Sequence, residues 1–373
     1  MLYLDVLASY PLLNESQDAL LVACREHFAN PSANHILGEA ARAKVEAVRI
    51  TIAETIGALP SEIIFTSGAT ESNNLVLKST VNTTLASGLI PHIITSTIEH
   101  NCILEICAYL ECIGCEVTYL PPSQGGLITV DSVLKAIKPN TVLVSVMHVN
   151  NELGTVNNIE KIGEICFDNG IKFHTDAAQS YLKLPIDVDD LNVDFLSISA
   201  HKIGGIKGIG AVYIRDSRNT QLQPLIHGAG QELGLRGGTL ATPLIASFGA
   251  AVQHFPTYYK AETMNEHKQL FLEELIRNRV NYQVNGSGDI LPLMANISFL
   301  NIDIPALIRD TSNKYSLSQG SACSSGSIEP SHVLQALSID RETASNTLRI
   351  SFPSDIKKSQ LLELASDIAS FKR

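Results

Sequence analysis

A lysine, an aspartate, a histidine and a hydroxyl-bearing turn each follow a short apolar run in this sequence. Lys202 comes after Val193-Asp194-Phe195-Leu196-Ser197-Ile198 and before a glycine-rich run from Gly204 to Gly210. Alternating apolar residues of that kind read as a buried strand. A lysine just past such a strand stands where open α/β sheets bind ligands. Partial burial strips hydration from the ammonium, lowers its pKa and makes the amine a nucleophile that can form a Schiff base. A solvated lysine in a polar turn has the same local pattern. Asp176 follows Ile171-Lys172-Phe173-His174-Thr175; a carboxylate at that depth needs a cationic partner, and a protonated ring nitrogen would serve. His100 also follows a strand, where an imidazole can stack on a ring and move protons or simply fill a structural place. Ser67-Gly68-Ala69-Thr70 lies between a strand and a helix start. It is either an ordinary cap or a phosphate cradle of N–H groups, helix dipole and hydroxyl.

Phosphate cradle, ring-nitrogen carboxylate, stacking histidine and Schiff-base lysine are together the equipment for pyridoxal 5'-phosphate, whose ring is an electron sink. Gly228-Ala229-Gly230-Gln231-Glu232 and Arg236-Gly237-Gly238-Thr239 form a second glycine-rich loop, and there is no nicotinamide fingerprint and no P-loop. Cys323 sits in Ser318–Ser327 among small polar residues, unlike a packing cysteine, which predicts an exposed thiol able to attack a substrate. Arg349 in Leu348–Phe352 can hold a carboxylate with its fork or make a surface ion pair. Cys112-Ile113-Gly114-Cys115 lacks a second pair at zinc spacing and reads as structural. Cys102 and Cys107 read as core residues on a helix.

These residues need strands to carry them. Apolar strands at 62–65, 92–96, 116–120, 141–149, 171–175 and 193–198 alternate with helices at 73–78, 101–112, 131–137 and 159–168. That order predicts an α/β protein with a mostly parallel mixed sheet covered on both faces. The pattern changes near Phe255, where a polar helix at 258–279 precedes short strands and helices. The expected division is a large domain of residues 15–254 and a smaller α+β domain of residues 1–14 and 255–373, which carries the Cys323 loop.

Bulk composition sets limits. The 373 residues are 45% hydrophobic and 17% charged, an ordinary globular balance. A net charge of −11 argues against direct binding to nucleic acid or anionic membrane. No apolar run approaches a bilayer span, and the first residues lack a basic export region. Seven scattered cysteines without an export signal point to reduced thiols and the cytoplasm.

With these motifs in order, the chain resembles the cysteine desulfurases of the NifS/IscS-like group, within the class V aminotransferase-like enzymes that use pyridoxal phosphate in a fold type I transferase architecture. The resemblance rests on Tyr3-Leu4-Asp5, Asn30-Pro31-Ser32 with His35 and Gly38, Phe65–Ser72, Glu99-His100, Met147–Gly154, His174–Ser180, Ser199–Lys202, Lys207–Gly210, Arg236–Thr239, Gly320–Ser324 and Glu329-Pro330-Ser331. It implies that Lys202 is the Schiff-base lysine, Asp176 binds the pyridine nitrogen and Gln179 the ring hydroxyl. His100 would stack on the ring as acid–base. Ala69, Thr70, Ser199 and His201 would hold the phosphate, with Thr239 supplied by the partner subunit of a homodimer. Asn151 and Arg349 would hold the carboxylate of L-cysteine. Cys323 would take its sulfur as a persulfide, leave alanine, and pass the sulfur to an acceptor protein.

Departures accompany the match. Leu7-Ala8-Ser9-Tyr10-Pro11 stands where the family usually has a threonine pair, Gly204 and Ile206 replace a bulky residue and a proline, and Pro353-Ser354 replaces a glycine–arginine pair. The sequence ends 24 residues past Arg349, so a longer tail for docking an iron–sulfur scaffold is expected to be short or missing. The acceptor is then as open to DNA phosphorothioation or another sulfur-modification pathway as to iron–sulfur assembly. A class V aminotransferase or selenocysteine lyase would keep Lys202, Asp176 and His100 but an aminotransferase would not need Cys323. A catalytically dead scaffold subunit would need neither Lys202 nor Cys323, and both are present.

Overall fold

The computed structural model describes residues 1–319 and 331–373. Its centre is a seven-stranded sheet. In chain order the strands are β2 (Ile63–Thr66), β3 (His92–Ser96), β4 (Glu116–Leu120), β5 (Thr141–Ser145), β6 (Lys172–Asp176), β7 (Phe195–Ser199) and β8 (Gly210–Ile214). Their spatial order is β2-β8-β7-β6-β5-β3-β4, and only β8 runs antiparallel to its neighbours. Every residue of β3, β7 and β8 is buried. Such two-sided burial is why these strands read as apolar runs rather than as clean alternation.

Helices cover both faces. One core joins α2 (Ile36–Glu54) to the sheet through Val45, Val48 and Ile52 against Phe65, Val144 and Phe173. The other joins α3 (Ala69–Ala86) and α4 (Asn101–Cys112) through Leu75, Val76, Ile103 and Cys107 against Ile93, Leu143 and Val212. Because six strands point the same way, Thr66, Ser96, Ser145, Asp176 and Ser199 end at one edge of the sheet. The antiparallel β8 returns from that edge, pairing Gly210 with Ser199, and the turn between them holds Lys202 at the C-terminal end of β7.

One helix was not legible as a separate element. The sequence predicts a polar helix at 258–279, whereas the structure has α7 (Thr242–Tyr258) and then α8 (Ala261–Arg277). Non-helical backbone at Tyr259 and Lys260 separates them. α7 runs through residue 254 and packs Ile245, Phe248, Ala251 and Phe255 into the main core. Apolar residues surround it on nearly all sides, so it shows little of the one-sided periodicity that marks a surface helix. α1 (Asn14–Glu26) lies against it.

A second, antiparallel sheet has the order β12 (Thr347–Ser351), β10 (Met294–Leu300), β9 (Asn281–Asn285). Its core includes Phe271 of α8, Phe299, Ile350 and Leu364 of α12 (Lys358–Ser370). The N-terminal strand β1 (Leu2–Tyr3) pairs with β11 (Tyr315–Ser316), and Leu4 enters this second core. No helix among the described residues is long and apolar enough to cross a membrane.

A buried ion pair anchors the second glycine-rich loop. Arg49 of α2 meets both oxygens of Glu232, at 2.9 and 2.7 Å, and Glu232 also accepts from Phe65 N at 2.6 Å. Nearby, Arg236 Nε donates to Glu71 of α3 at 2.9 Å. The two charges of the Arg49–Glu232 pair compensate each other at a depth where either alone would be strongly destabilising.

Candidate active site

The sheet edge opens into a cavity of about 420 Å³ lined by Ala69, Thr70, His100, Asn151, Asp176, Gln179, Ser199, His201, Lys202 and Arg349. These are ten of the twelve positions expected from the sequence. Thr239 is exposed and does not line this cavity. Cys323 lies outside the described residues.

The turn after β2 is not an ordinary side-chain cap. Gly68, at φ +149, precedes α3 with no side-chain hydrogen bond to the helix start. A side chain is disfavoured there by the backbone. Gly210 has its own reason, since a Cβ on it would lie 2.7 Å from Gly68 Cα. The first N–H groups of α3 therefore have no intrahelical partner or side-chain cap, and α3 adds its dipole. Glu71 turns its carboxylate back onto Ser67 N at 2.7 Å and onto Arg236, and does not cap Ala69 or Thr70.

Asp176 is 7% exposed. Ala178 N donates to one oxygen at 2.9 Å and Asn73 Nδ2 to the other at 2.8 Å. Both donors are neutral, so they orient the carboxylate without cancelling its charge, which suits a cationic N–H from the cavity. Gln179 donates to Leu7 O at 3.0 Å, and its Oε1 is buried with no hydrogen-bond partner among the described residues. Asn151 Oδ1 is likewise buried and unpartnered. Unpaired polar atoms at cavity-lining residues favour a polar ligand. These features fit pyridoxal phosphate: N–H groups and hydroxyls for phosphate, a fixed carboxylate for the ring nitrogen, and an unsatisfied amide for the ring hydroxyl.

His100 caps α4, its Nδ1 accepting from Cys102 N at 3.2 Å. In the neutral ring that bond leaves the proton on Nε2. Burial, helped by the nearby charges of Lys202 and His332 and opposed by Asp176, lowers its pKa below the ordinary histidine value. His201 is pushed down to about 4, first by burial and then by Lys202, Lys207 and Lys183. It is therefore a neutral hydrogen-bonding group near neutral pH, with Nδ1 3.3 Å from Ser9 Oγ. Lys202 Nζ donates to Leu7 O at 2.8 Å and Ala8 O at 2.9 Å. The solvated-turn alternative for this lysine does not hold, because the amine sits against backbone inside the cavity.

Arg349 is neither a surface ion pair nor an unengaged fork. It is 2% exposed and bonded to Asp5 and to the Asn151 carbonyl. Cys102 also departs from expectation: it is only partly buried and lines the cavity, while Cys107 is core. Sequence reasoning missed Asn73, which fixes Asp176. Its signal was available, since Asn73 is on the inner face of the helix that Ser67–Thr70 opens. Lys207 lines the cavity as well, from the glycine-rich turn after Lys202.

Glu99, beside His100, is fully buried and accepts from Ser96 Oγ and Met147 N at 2.8 and 2.9 Å. Burial, with the Asp176 charge adding to it, raises its pKa from 4.5 to about 8. Between those values the folded chain keeps a proton that the unfolded chain releases. Stability contributed by Glu99 therefore falls as pH rises through this window. Denaturant unfolding of Glu99→Gln should show a flatter decline from pH 5 to 8 than wild type; an unchanged slope would contradict the assignment.

Residues 2–364 match the Aminotransferase class-V family model. The mitosomal cysteine desulfurase of Encephalitozoon cuniculi is 45% identical, over 93% of this chain and 81% of that protein. Cysteine desulfurase IscS of Dictyoglomus turgidum is 40% identical, over 93% of this chain and 88% of that protein. Among solved structures, SspA in complex with cysteine superposes with a TM-score of 0.87 at 47% identity, covering 95% of this chain and 99% of the other. The chain belongs to the class-V aminotransferase family and, within it, to the cysteine desulfurases.

Proposed function

We propose that this protein converts L-cysteine to L-alanine with pyridoxal phosphate, holding the sulfur as a persulfide on Cys323 before passing it to an acceptor protein. The observation that carries the reading is the convergence of Lys202, Asp176, His100 and the uncapped start of α3 on one cavity. Similarity to SspA in complex with cysteine supports the choice of substrate.

The start of α3, with Thr70, Ser199 and His201, would hold the phosphate. Asp176 would pair with the ring nitrogen, Gln179 would meet the ring hydroxyl and His100 would cover one face. When bound, the cofactor supplies an electron-withdrawing ring that stabilises negative charge on the substrate α-carbon. Lys202 would anchor the cofactor through its amine and, once that amine is free, would accept the substrate α-proton on Nζ. His100, whose pKa burial lowers, offers Nε2 for proton movement. Asn151 and Arg349 orient the substrate carboxylate. Cys323 thiolate attacks the substrate sulfur, the carbon–sulfur bond breaks, and its electron pair stays with the carbon that becomes the alanine methyl group.

Thr239 stands exposed, outside its own cavity, which supports a homodimer in which it serves the partner subunit's phosphate site. We assign residues 1–14 and 255–373 to the smaller domain and 15–254 to the larger, and place the protein in the cytoplasm. The acceptor belongs to iron–sulfur assembly, DNA phosphorothioation or another sulfur-modification pathway. The test is product analysis with L-cysteine, added pyridoxal phosphate and a thiol reductant. Alanine and sulfide should appear in equal amounts. A keto acid in place of alanine, with no sulfide, would move the reading to an aminotransferase, and neither product would favour a scaffold.

A further inference from the structure

Arg349 is held from two sides before any ligand reaches it. Its Nη2 lies 2.6 Å from Asp5 Oδ1, and Nη1 donates to Asn151 O at 2.8 Å. Its Nε is buried with no hydrogen-bond partner among the described residues. The two side chains are 2% and 16% exposed, so the pair is protected from the solvent screening that weakens surface ion pairs. Asp5 does not itself line the cavity, whereas Arg349 and Asn151 do. Its backbone is fixed by its neighbour Leu4, whose N–H donates to Ser316 O at 3.1 Å and whose carbonyl accepts from Ser351 N at 2.9 Å. The segment carrying Asp5 is thus tied to β11 and to the strand that carries Arg349.

We infer that Asp5 is a positioning residue for recognition of the substrate carboxylate: it locks the plane of the Arg349 guanidinium so that its unpaired N–H edge serves the ligand. This rests on the reading of Arg349 as the carboxylate-binding group. An arginine side chain has several rotatable bonds, and a planar fork is useful only when its plane is set. A short charge-assisted bond to a carboxylate whose preceding residue is held by backbone bonds to two strands sets it. The same carboxylate lets Arg349 stay buried without an uncompensated charge when no anionic ligand is bound. The Asn151 carbonyl fixes the remaining direction, leaving the other N–H groups of the guanidinium for the ligand.

The test is a double-mutant cycle in the holoenzyme with Asp5→Ala and Arg349→Ala. It reads KM and kcat for L-cysteine, and separately the binding of L-alanine by calorimetry. Asp5→Ala should raise KM and weaken L-alanine binding about tenfold, the size of one charge-assisted hydrogen bond, with kcat changed by less than about threefold. In the Arg349→Ala background the same substitution should change neither value, because Asp5 acts through Arg349. Asp5→Asn keeps an acceptor for Nη2 and should cost only about threefold, which provides the cycle if the alanine variant does not fold. Equal factors in both backgrounds, or a lower unfolding midpoint with unchanged KM and unchanged L-alanine binding, would overturn the inference. If wild type yields no alanine and sulfide, the desulfurase reading fails instead, and L-alanine binding still reports on Asp5 and Arg349.

Discussion

Lys202→Ala is expected to lower alanine formation from L-cysteine by on the order of 10⁴-fold or more, because in the proposed function one amine serves both as cofactor anchor and as proton acceptor. Its neighbours cannot stand in. Lys207 lines the cavity but sits exposed on the turn. Lys183 is buried, with Nζ 5.7 Å from the Phe255 ring, and is not part of the cavity wall. Burial, and then the Lys202 charge, push Lys183 down to about 7, so it supplies a partly neutral amine that is misplaced for the reaction. The folding cost should be small, since the carbonyls of Leu7 and Ala8 that the substitution releases lie at a cavity wall that water can reach. Three readouts separate loss of chemistry from loss of structure: alanine release, the unfolding midpoint, and peptide mass after borohydride reduction. Wild type should carry the cofactor mass on the Lys202 peptide and the variant should not. Activity within tenfold of wild type would place the essential amine elsewhere.

The sheet was legible because its strands are buried on both faces and their apolar runs are interrupted where the chain reaches the ligand edge. Lys202, Asp176 and His100 stood out for the same reason: each is a functional group just past a run that must be buried. The contacts that orient them were much less legible. Asn73 meets Asp176, and Asp5 meets Arg349, across long stretches of sequence. No local period marks a partner that distant. α7 was missed because a helix buried on most sides has little polar face to reveal its turn. Arg349 was read as a choice between a ligand group and an ion pair, yet burial lets it be ion-paired to Asp5 and still border the cavity. Cys102 was read as core because its helix is apolar, although the His100 cap at the start of that helix brings its first turn to the cavity.

Cys323→Ala should abolish sulfide formation from L-cysteine while leaving cofactor binding intact, because the remaining thiols are chemically or spatially unfit to replace it. Cys102 is the strongest rival, since it lines the cavity. Burial raises its pKa to about 12, and the Asp176 charge adds to the shift. At neutral pH only a minute fraction is thiolate, the form that attacks sulfur. Cys107 and Cys166 are buried and likewise raised, Cys166 to about 12. Cys115 is raised to about 11 by burial, while Cys24 on α1 and Cys112 at the end of α4 are exposed but do not line the cavity. Exchange of the substrate α-proton with deuterated water should continue in the variant, because Lys202, Asp176 and His100 remain. That combination, retained exchange without sulfide, isolates the sulfur-removing step from the proton-moving one. Full sulfide production by Cys323→Ala would mean that the carbon–sulfur bond breaks without a thiol at that position. Adding Cys102→Ala would then decide whether the cavity thiol, despite its raised pKa, had taken over.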